Sequence, residues 1–215
     1  MEGMSTPSSS RSVKISDDER GGWSSDRPRP GGGPPRLPDI GVRGRVLRAS
    51  DRLRYAPGSL LLIVSASPSE RERFAQRVIE DKSALLSLGR VRGLLAGHVA
   101  EAEIDARANE VLEAAILKRL RARASVVVTA AGLDPAERER FVRLAAGERR
   151  PRHLILLETG REGVADEDRA ALNELRRALD AGELGGEGFE TALRLGGQSV
   201  GELKKIVFRT APKDD

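Results

Sequence analysis

The amino-acid sequence predicts an α/β fold, in which a parallel sheet has helices on both faces and a disordered N-terminal tail precedes this three-layer domain. Continuous apolar runs at residues 60–64, 125–130 and 153–158 indicate strands that are buried on both faces, as in parallel sheets. Each of the first two runs is followed by the same helix-start signature: an N-cap residue, a proline and, three residues after the cap, a glutamate. Strands that alternate with helices in this way predict a parallel sheet.

The first 38 residues are rich in serine, glycine, proline and charge and contain almost no aliphatic side chains. Such a segment cannot bury enough apolar area to offset its ordering entropy, so residues 1–38 are predicted to be a disordered tail. Residues 39–215 then form one α/β domain. Trp23 is the exception in the tail, and is either a docking anchor for a partner or an incidental exposed residue.

The composition excludes several classes of function. The chain contains no cysteine, which rules out disulfides, thiolate metal sites and cysteine nucleophiles. The two histidines, His98 and His153, are far apart in sequence, so no metal site is predicted. The N-terminus lacks the apolar core of a secretory signal, and no run approaches the ~20 apolar residues that span a bilayer. The expectation is a cytoplasmic protein without membrane contact.

The balance of charge argues only weakly for nucleic acid as a partner. Lysine and arginine number 37 against 33 acidic residues, which leaves a net charge of +4. Binding to phosphate backbones needs cations that are concentrated on one face. The densest basic stretch, residues 43–54, contains five arginines and one acid, and its first part, residues 42–48, also has the pattern of an edge strand.

The first strand–helix unit has clear boundaries. Ser67 is the predicted N-cap, Pro68 occupies the first helical position, and Glu70 follows the cap by three residues, which is the pattern of a capping box. Phe74 and Val78 continue at helical spacing and predict the face that packs on the sheet. This strand-to-helix turn lies where nucleotide-binding α/β proteins place their phosphate loop.

The rest of the chain contains the signals of further helices and strands. A short strand or loop and a helical turn that closes at Gly97 are predicted for residues 83–97, and a long helix for residues 99–122, with Val111 among its apolar residues. Asp134, Pro135 and Glu137 repeat the cap pattern after the second strand. A helix over residues 166–181 and a last edge strand over residues 205–209 complete the predicted domain.

The order and spacing of these segments resemble the polynucleotide-kinase-like P-loop kinases, a group within the AAA and zeta-toxin-like NTPases. The resemblance covers residues 60–195 and rests on four segments: Phe74-Ala75, Arg92-Gly93-Leu94-Leu95-Ala96-Gly97, Leu133-x-Pro135-x-x-Arg138 and Glu187-Gly188-Phe189. It implies an ATP-binding parallel sheet and transfer of a γ-phosphate to a nucleic-acid 5′ hydroxyl or to a small acceptor.

The phosphate loop of such a kinase is degenerate in this chain. Against the pattern G-x-x-x-x-G-K-[ST], Ser65 and Glu70 stand at the glycine positions, Arg71 at the lysine position and Glu72 at the hydroxyl position. The candidate phosphate-loop residues are therefore Ser65, Ser67, Ser69 and Arg71. Two carboxylates within ~4–6 Å of a triphosphate would repel it by several kcal/mol. We expect Glu70 and Glu72 to satisfy the helix N-terminus themselves.

Two other positions that the resemblance implies lack the required side chain. The acid that would deprotonate the acceptor hydroxyl is replaced by Gly89, and the acid at the end of the second strand by the run Thr129-Ala130-Ala131-Gly132. Arg92 and Arg138 match family arginines, and each is either a phosphate or nucleic-acid contact or an ion-paired helix residue. In the lid region, Arg161 and Arg169 match too loosely for a role to be assigned to either.

Three functional hypotheses follow. The first is a catalytically degenerate kinase-like protein, a pseudoenzyme without a cofactor that serves as a binding or regulatory module for an unidentified protein partner. The second retains binding of ATP and Mg²⁺, or phosphoryl transfer, with Arg71 as the cation. The third is a nucleic-acid-binding protein that uses residues 43–54 together with Arg90 and Arg92.

Overall fold

The computed structural model describes residues 52–130, 132–158 and 164–209. The predicted tail at residues 1–38, Trp23 and the edge strand predicted at residues 42–48 lie outside these residues. The elements in chain order are β1 (Arg52–Tyr55), β2 (Leu60–Val64), α1 (Pro68–Val78), β3 (Leu85–Ser87), α2 (Leu88–Leu95), α3 (Ile104–Arg121), β4 (Val126–Ala130), α4 (Pro135–Gly147), β5 (Arg152–Leu157), α5 (Asp166–Asp180), β6 (Thr191–Leu195), α6 (Gln198–Glu202) and β7 (Lys205–Phe208).

Five of the strands form one parallel sheet in the order β3-β4-β2-β5-β6. All five residues of the central strand β2 are fully buried, which explains why its sequence is a continuous apolar run. Its neighbours β4 and β5 have the same character because they too are covered on both faces. The predicted α/β fold with helices on both faces is confirmed.

The two faces of the sheet carry separate apolar clusters. Leu60, Leu62 and Val64 of β2 face helices α3, α4 and α5, whereas Leu61 and Ile63 face α1 and the segment around β7. The helical residues of the first cluster include Leu112, Ile116, Leu120, Phe141, Val142, Ala145, Leu172, Leu175 and Leu179. The second cluster includes Phe74 and Val78, as the spacing predicted. Alternation along β2 thus gives the three-layer domain one apolar cluster on each face of the sheet.

Strands β1 and β7 pair with each other in parallel and form a separate two-stranded sheet. The sequence predicted an edge strand at residues 205–209 but neither its partner β1 nor β6. An isolated bridge between Ile79 and Ile206 connects the small sheet to the end of α1. Tyr55 of β1 stacks on His153 of β5 with ring centroids 4.5 Å apart.

The long helix differs from its prediction in two respects. A short 3₁₀ turn occupies residues 101–103, so that α3 begins at Ile104. Val111, which was predicted on the apolar face, is exposed, whereas Leu112 and Ile116 are buried there as predicted and Ala108 joins them. Within the part of the chain that the structure describes, no helix combines the length and the apolar character required to cross a bilayer.

Candidate functional site

The turn between β2 and α1 forms the centre of the candidate site. Ser65 is buried directly after β2, and Ser67 adopts an extended backbone conformation as the N-cap of α1. Pro68 occupies the first turn of the helix, where its missing N–H leaves no hydrogen bond unmade. The structure therefore brings the predicted residues Ser65, Ser67, Ser69 and Arg71 together in one turn.

This turn satisfies several of its own backbone amides. The N–H of Ser67 donates to Oγ of Ser65 at 3.2 Å, and the N–H of Glu70 donates to Oγ of Ser67 at 3.4 Å. The N–H of Arg71 donates to the carbonyl oxygen of Ser67 at 3.1 Å. An anion at the N-terminus of a helix is normally held by such amides. The amides of Ser67 and Glu70, at the start of the helix, thus already have side-chain partners within the turn, whereas the amide of Arg71 makes the first hydrogen bond of the helix itself.

The side chain of Arg71 folds back onto the same turn. It is only 8% exposed, and its Nη1 donates to the carbonyl oxygen of Ser65 at 2.9 Å. Its Nε is buried and has no hydrogen-bond partner among the described residues. Burial lowers the pKa of Arg71, and the charges of Glu72 and Glu137 act in the opposite direction. The cation at the lysine position is therefore directed at the protein's own backbone.

Glu70 and Glu72 do not cap the helix as the sequence predicted. Capping comes from the Oγ of Ser67, and no hydrogen bond from Glu70 back to the cap completes the box within the described residues. Glu72 instead accepts a hydrogen bond from Oγ1 of Thr129 at the end of β4. The acids still stand beside the turn, but Glu72 links α1 to β4.

A cavity of about 440 Å³ adjoins this turn at the carboxyl ends of β2, β3 and β4. Four arginines line it: Arg71, Arg90, Arg92 and Arg140. The two acids of the lining are Glu72 and Glu137, and Leu88, Leu112 and Phe141 contribute apolar walls. We refer to this cavity as the arginine pocket. Ligands of α/β proteins commonly bind at this end of a parallel sheet.

The arginine pocket contains the position of the acid that the kinase resemblance implies, and Gly89 occupies it. At the other implied acid position, β4 ends in Thr129 and Ala130, residue 131 lies outside the described residues, and Gly132 follows. Glu137 is close in sequence, but its Oε2 accepts a hydrogen bond of 2.8 Å from the N–H of Gly132. Over residues 52–130, 132–158 and 164–209, no group of three or more acidic, histidine or cysteine side chains could hold a metal ion.

The structure separates the two arginines that match the family pattern. Arg92 lines the arginine pocket, is half exposed, and pairs through Nε with Asp105 at 2.9 Å. Arg138 is 2% exposed and is not part of this lining. Its guanidinium binds the carboxylate of Glu187 through two nitrogens and also donates to the carbonyl oxygens of Gly132 and Leu133. Arg138 thus joins the loop after β4 to the segment before β6.

The remaining basic candidates lie elsewhere. Arg161 and the larger part of the basic stretch at residues 43–54 fall outside the described residues. Arg169 pairs with Asp166 on the first turn of α5, and Arg52 and Arg54 lie exposed on β1. Within the described part of the chain, only Arg90 and Arg92 of the predicted nucleic-acid residues line the arginine pocket.

Arg140 is a pocket residue that sequence reasoning missed. Its Nη2 donates to Oδ1 of Asn109 at 3.0 Å, and its guanidinium lies over the ring of Phe141, 4.9 Å from the centroid. These contacts depend on how α4 packs against α3. The sequence contains no signal for that packing, because arginines are frequent throughout α4.

Comparison with known proteins identifies the family. Residues 61–176, which are more than half of the chain, match the sequence profile of the AAA domain family. The chain belongs to this family. Membership of the AAA domain family confirms the general resemblance to P-loop kinases, whereas the polynucleotide-kinase-like subtype and the loss of activity stay predictions.

No curated protein matches the chain significantly. Among solved structures, one similar chain is described as a "putative kinase" from Chloroflexus aurantiacus J-10-fl. It is 14% identical, the match covers 66% of this chain and 86% of that chain, and the TM-score is 0.42. A likeness at this level says nothing about activity.

Proposed function

We propose that this member of the AAA domain family is a pseudoenzyme: a kinase-like fold that no longer binds ATP or transfers a phosphoryl group and serves as a binding or regulatory module. The observation that carries this proposal is the hydrogen bond from Arg71 to the carbonyl oxygen of Ser65. A phosphate-loop cation stabilises a nucleotide only if it reaches the phosphates. Here the cation is buried against its own turn.

The surroundings of Arg71 support the same conclusion. The serine oxygens of the turn accept the amide hydrogens that would bind a phosphate, and Glu70 in the first turn of α1 and Glu72 just after it add two carboxylates. Negative side chains at a helix N-terminus stabilise the helix and repel a second anion. A triphosphate would have to displace Arg71 and overcome this repulsion.

The absence of a suitable base supports the loss of transfer separately from the loss of binding. Gly89 provides no carboxylate in the arginine pocket, and Glu72 and Glu137 are held by Thr129 and by the amide of Gly132. A general base must lie within hydrogen-bond reach of the hydroxyl that it deprotonates. A chain that regained ATP binding would therefore still transfer phosphate poorly.

The test compares the wild-type protein with a variant in which Glu70→Gly, Arg71→Lys and Glu72→Ser together restore the G-K-S end of the loop pattern, whereas Ser65 is kept. Thermal unfolding is followed with and without Mg-ATP. A nucleotide present at about one hundred times its Kd would raise the free energy of unfolding by about 2.7 kcal/mol. For a domain of this size, that corresponds to a rise in Tm of roughly 5–10 °C.

The proposal expects no rise for the wild type and a measurable rise for the restored variant. Mg-ADP and Mg-GTP serve as further ligands, and MgCl₂ alone is the control for the ion. A rise of several degrees for the wild-type protein with Mg-ATP would refute the proposal and favour the hypothesis of retained nucleotide binding.

A further inference from the structure

We propose that the arginine pocket binds a small phosphate monoester, with Arg90, Arg92 and Arg140 as the residues that hold its phosphate. This inference rests on the proposed function, because it names the ligand class of a module that has lost its nucleotide. It concerns the cavity beside the turn and not the turn itself.

The size of the pocket favours a small molecule. A volume of about 440 Å³ lies within the range of roughly 300–1,000 Å³ that is usual for small-molecule sites. The walls combine apolar side chains from α2, α3 and α4 with a few charged groups. The apolar walls suit the carbon skeleton of a ligand, and the charged groups suit its phosphate.

The charges of the pocket favour an anion. Four arginines and two glutamates line the pocket, so positive side chains outnumber negative ones. Glu72 and Glu137 accept hydrogen bonds from the hydroxyl of Thr129 and the amide of Gly132, which are neutral donors that hold the carboxylates in place without removing their charge. Arg90 has no ion-pair partner among the residues that the structure describes, and it is exposed at the pocket rim. The net charge of the lining is therefore positive.

Arg92 and Arg140, the other two arginines proposed to hold the phosphate, each lie against an acidic residue that is not part of the lining. Nε of Arg92 lies 2.9 Å from Asp105, and Nε of Arg140 lies 3.2 Å from Glu113, off the N–H direction. These contacts orient the guanidinium groups through Nε. Both Nη atoms of Arg92 and Nη1 of Arg140 have no hydrogen-bond partner in the described part of the chain. The two Nη atoms of Arg92 can therefore bind a phosphate in the paired geometry typical of arginine, and Nη1 of Arg140 can donate to it as well.

Gly89 offers a selective way to test the charge of the pocket. A Cβ at this position would meet only Oγ of Ser87 within 4 Å, at an ordinary contact distance of 3.7 Å, and the backbone φ is not positive. A side chain can therefore be added without a change in the backbone. Gly89→Asp places a carboxylate in the pocket, and Gly89→Asn is a control of nearly the same size without the charge.

The experiment is a calorimetric titration of the full chain with glycerol 3-phosphate, ribose 5-phosphate and inorganic phosphate, with glycerol as the uncharged probe. We expect saturable binding of one phosphate monoester per chain and none of glycerol.

Gly89→Asp should weaken binding at least about tenfold, and Gly89→Asn less than about threefold. Arg92→Gln and Arg140→Gln should each weaken it at least about tenfold. Arg143→Gln, on the same helix as Arg140 but outside the lining, should leave it unchanged.

Absence of binding to all three phosphates, or equal affinity in the Gly89→Asp and Gly89→Asn variants, would overturn the inference. Binding of a single-stranded oligonucleotide alone, with a steep dependence on salt, would also overturn it and would favour the nucleic-acid hypothesis. Failure here is distinguishable from failure of the proposed function, because that function is tested by the thermal shift with Mg-ATP, whereas this inference is tested with phosphate monoesters and with changes at Gly89, Arg92 and Arg140, which lie outside the turn.

Discussion

Nη1 of Arg71 lies 2.9 Å from the carbonyl oxygen of Ser65, six residues earlier in the chain, and both residues are buried. The contact closes the turn at the centre of the candidate site. It also gives a basic side chain at this position a structural role, which does not require a nucleotide. A buried carbonyl group that loses such a donor is left unsatisfied.

The first prediction concerns this contact. Arg71→Met keeps much of the side-chain volume but removes the donor, and we expect the free energy of unfolding to fall by about 1–3 kcal/mol. Arg73→Met, two residues further along α1 and exposed, should change it by less than about 0.5 kcal/mol. Urea unfolding of both variants measures the difference. Equal stability of the two variants would mean that the hydrogen bond contributes nothing.

A second prediction concerns Arg138 and Glu187. Their ion pair is largely buried, and Arg138 also holds two backbone carbonyl groups of the loop after β4. Removal of one partner of a buried pair leaves the other without compensation, so Arg138→Met should cost about 3–5 kcal/mol. Arg143→Met, on the exposed face of the same helix, is the matched control. A loss below about 1 kcal/mol in denaturant titrations would contradict a bracing role.

The third prediction concerns Gly132, which has a φ of +60°. A Cβ on this residue would lie 2.6 Å from Cγ2 of Val64 at the end of β2. Gly132→Ala therefore combines backbone strain with a steric clash, and we expect a loss of about 2 kcal/mol or more. Gly93→Ala in α2 meets no atom within 4 Å and should raise stability by up to about 1 kcal/mol. Tm values of the two variants should therefore shift in opposite directions.

The fourth prediction concerns the pH dependence of stability. His153 is buried against Tyr55, and its Nδ1 lies 2.9 Å from Oγ1 of Thr191. Burial, together with the charge of Arg152, lowers the pKa of His153 to about 4. The unfolded chain protonates this histidine near pH 6.5. Between these values the unfolded state binds more protons, so the free energy of unfolding falls as the pH is lowered.

The loss associated with His153 is on the order of 2–4 kcal/mol between about pH 6.5 and pH 4. Unfolding titrations of His153→Gln across this range should show a flatter pH dependence than the wild type. His98→Gln, which changes an exposed histidine, should retain the wild-type dependence. Parallel curves for wild type and His153→Gln would show that His153 is not the group responsible.

The central strands were predictable from sequence because burial on both faces requires continuous apolar runs, as in β2 and β4. Strand β6 was not, because it lies at the sheet edge and combines buried Ala192 and Leu195 with exposed Thr191 and Arg194. Strand β1 alternates between exposed and partly buried residues, and it pairs with β7. Such strands are determined by a distant partner rather than by their own composition.

The candidate site was predictable in its residue types but not in its geometry. The sequence indicated a cation at Arg71 and acids on either side of it, but the direction of a long side chain depends on the packing around it. The structure turns Arg71 inward onto Ser65, and Glu72 binds Thr129 instead of the helix end. Arg140 lines the arginine pocket because α4 packs on α3. No local sequence pattern specifies this packing.

The most direct test of the central claim is a titration of ¹⁵N-labelled wild-type protein with Mg-ATP, in which the amide resonances of Ser67, Glu70 and Arg71 are followed by NMR. These are the amides that have partners within the turn. The account predicts that their chemical shifts remain unchanged at millimolar nucleotide. Saturable shifts of these three amides that require Mg²⁺ would show that the turn binds a nucleotide and would contradict the account.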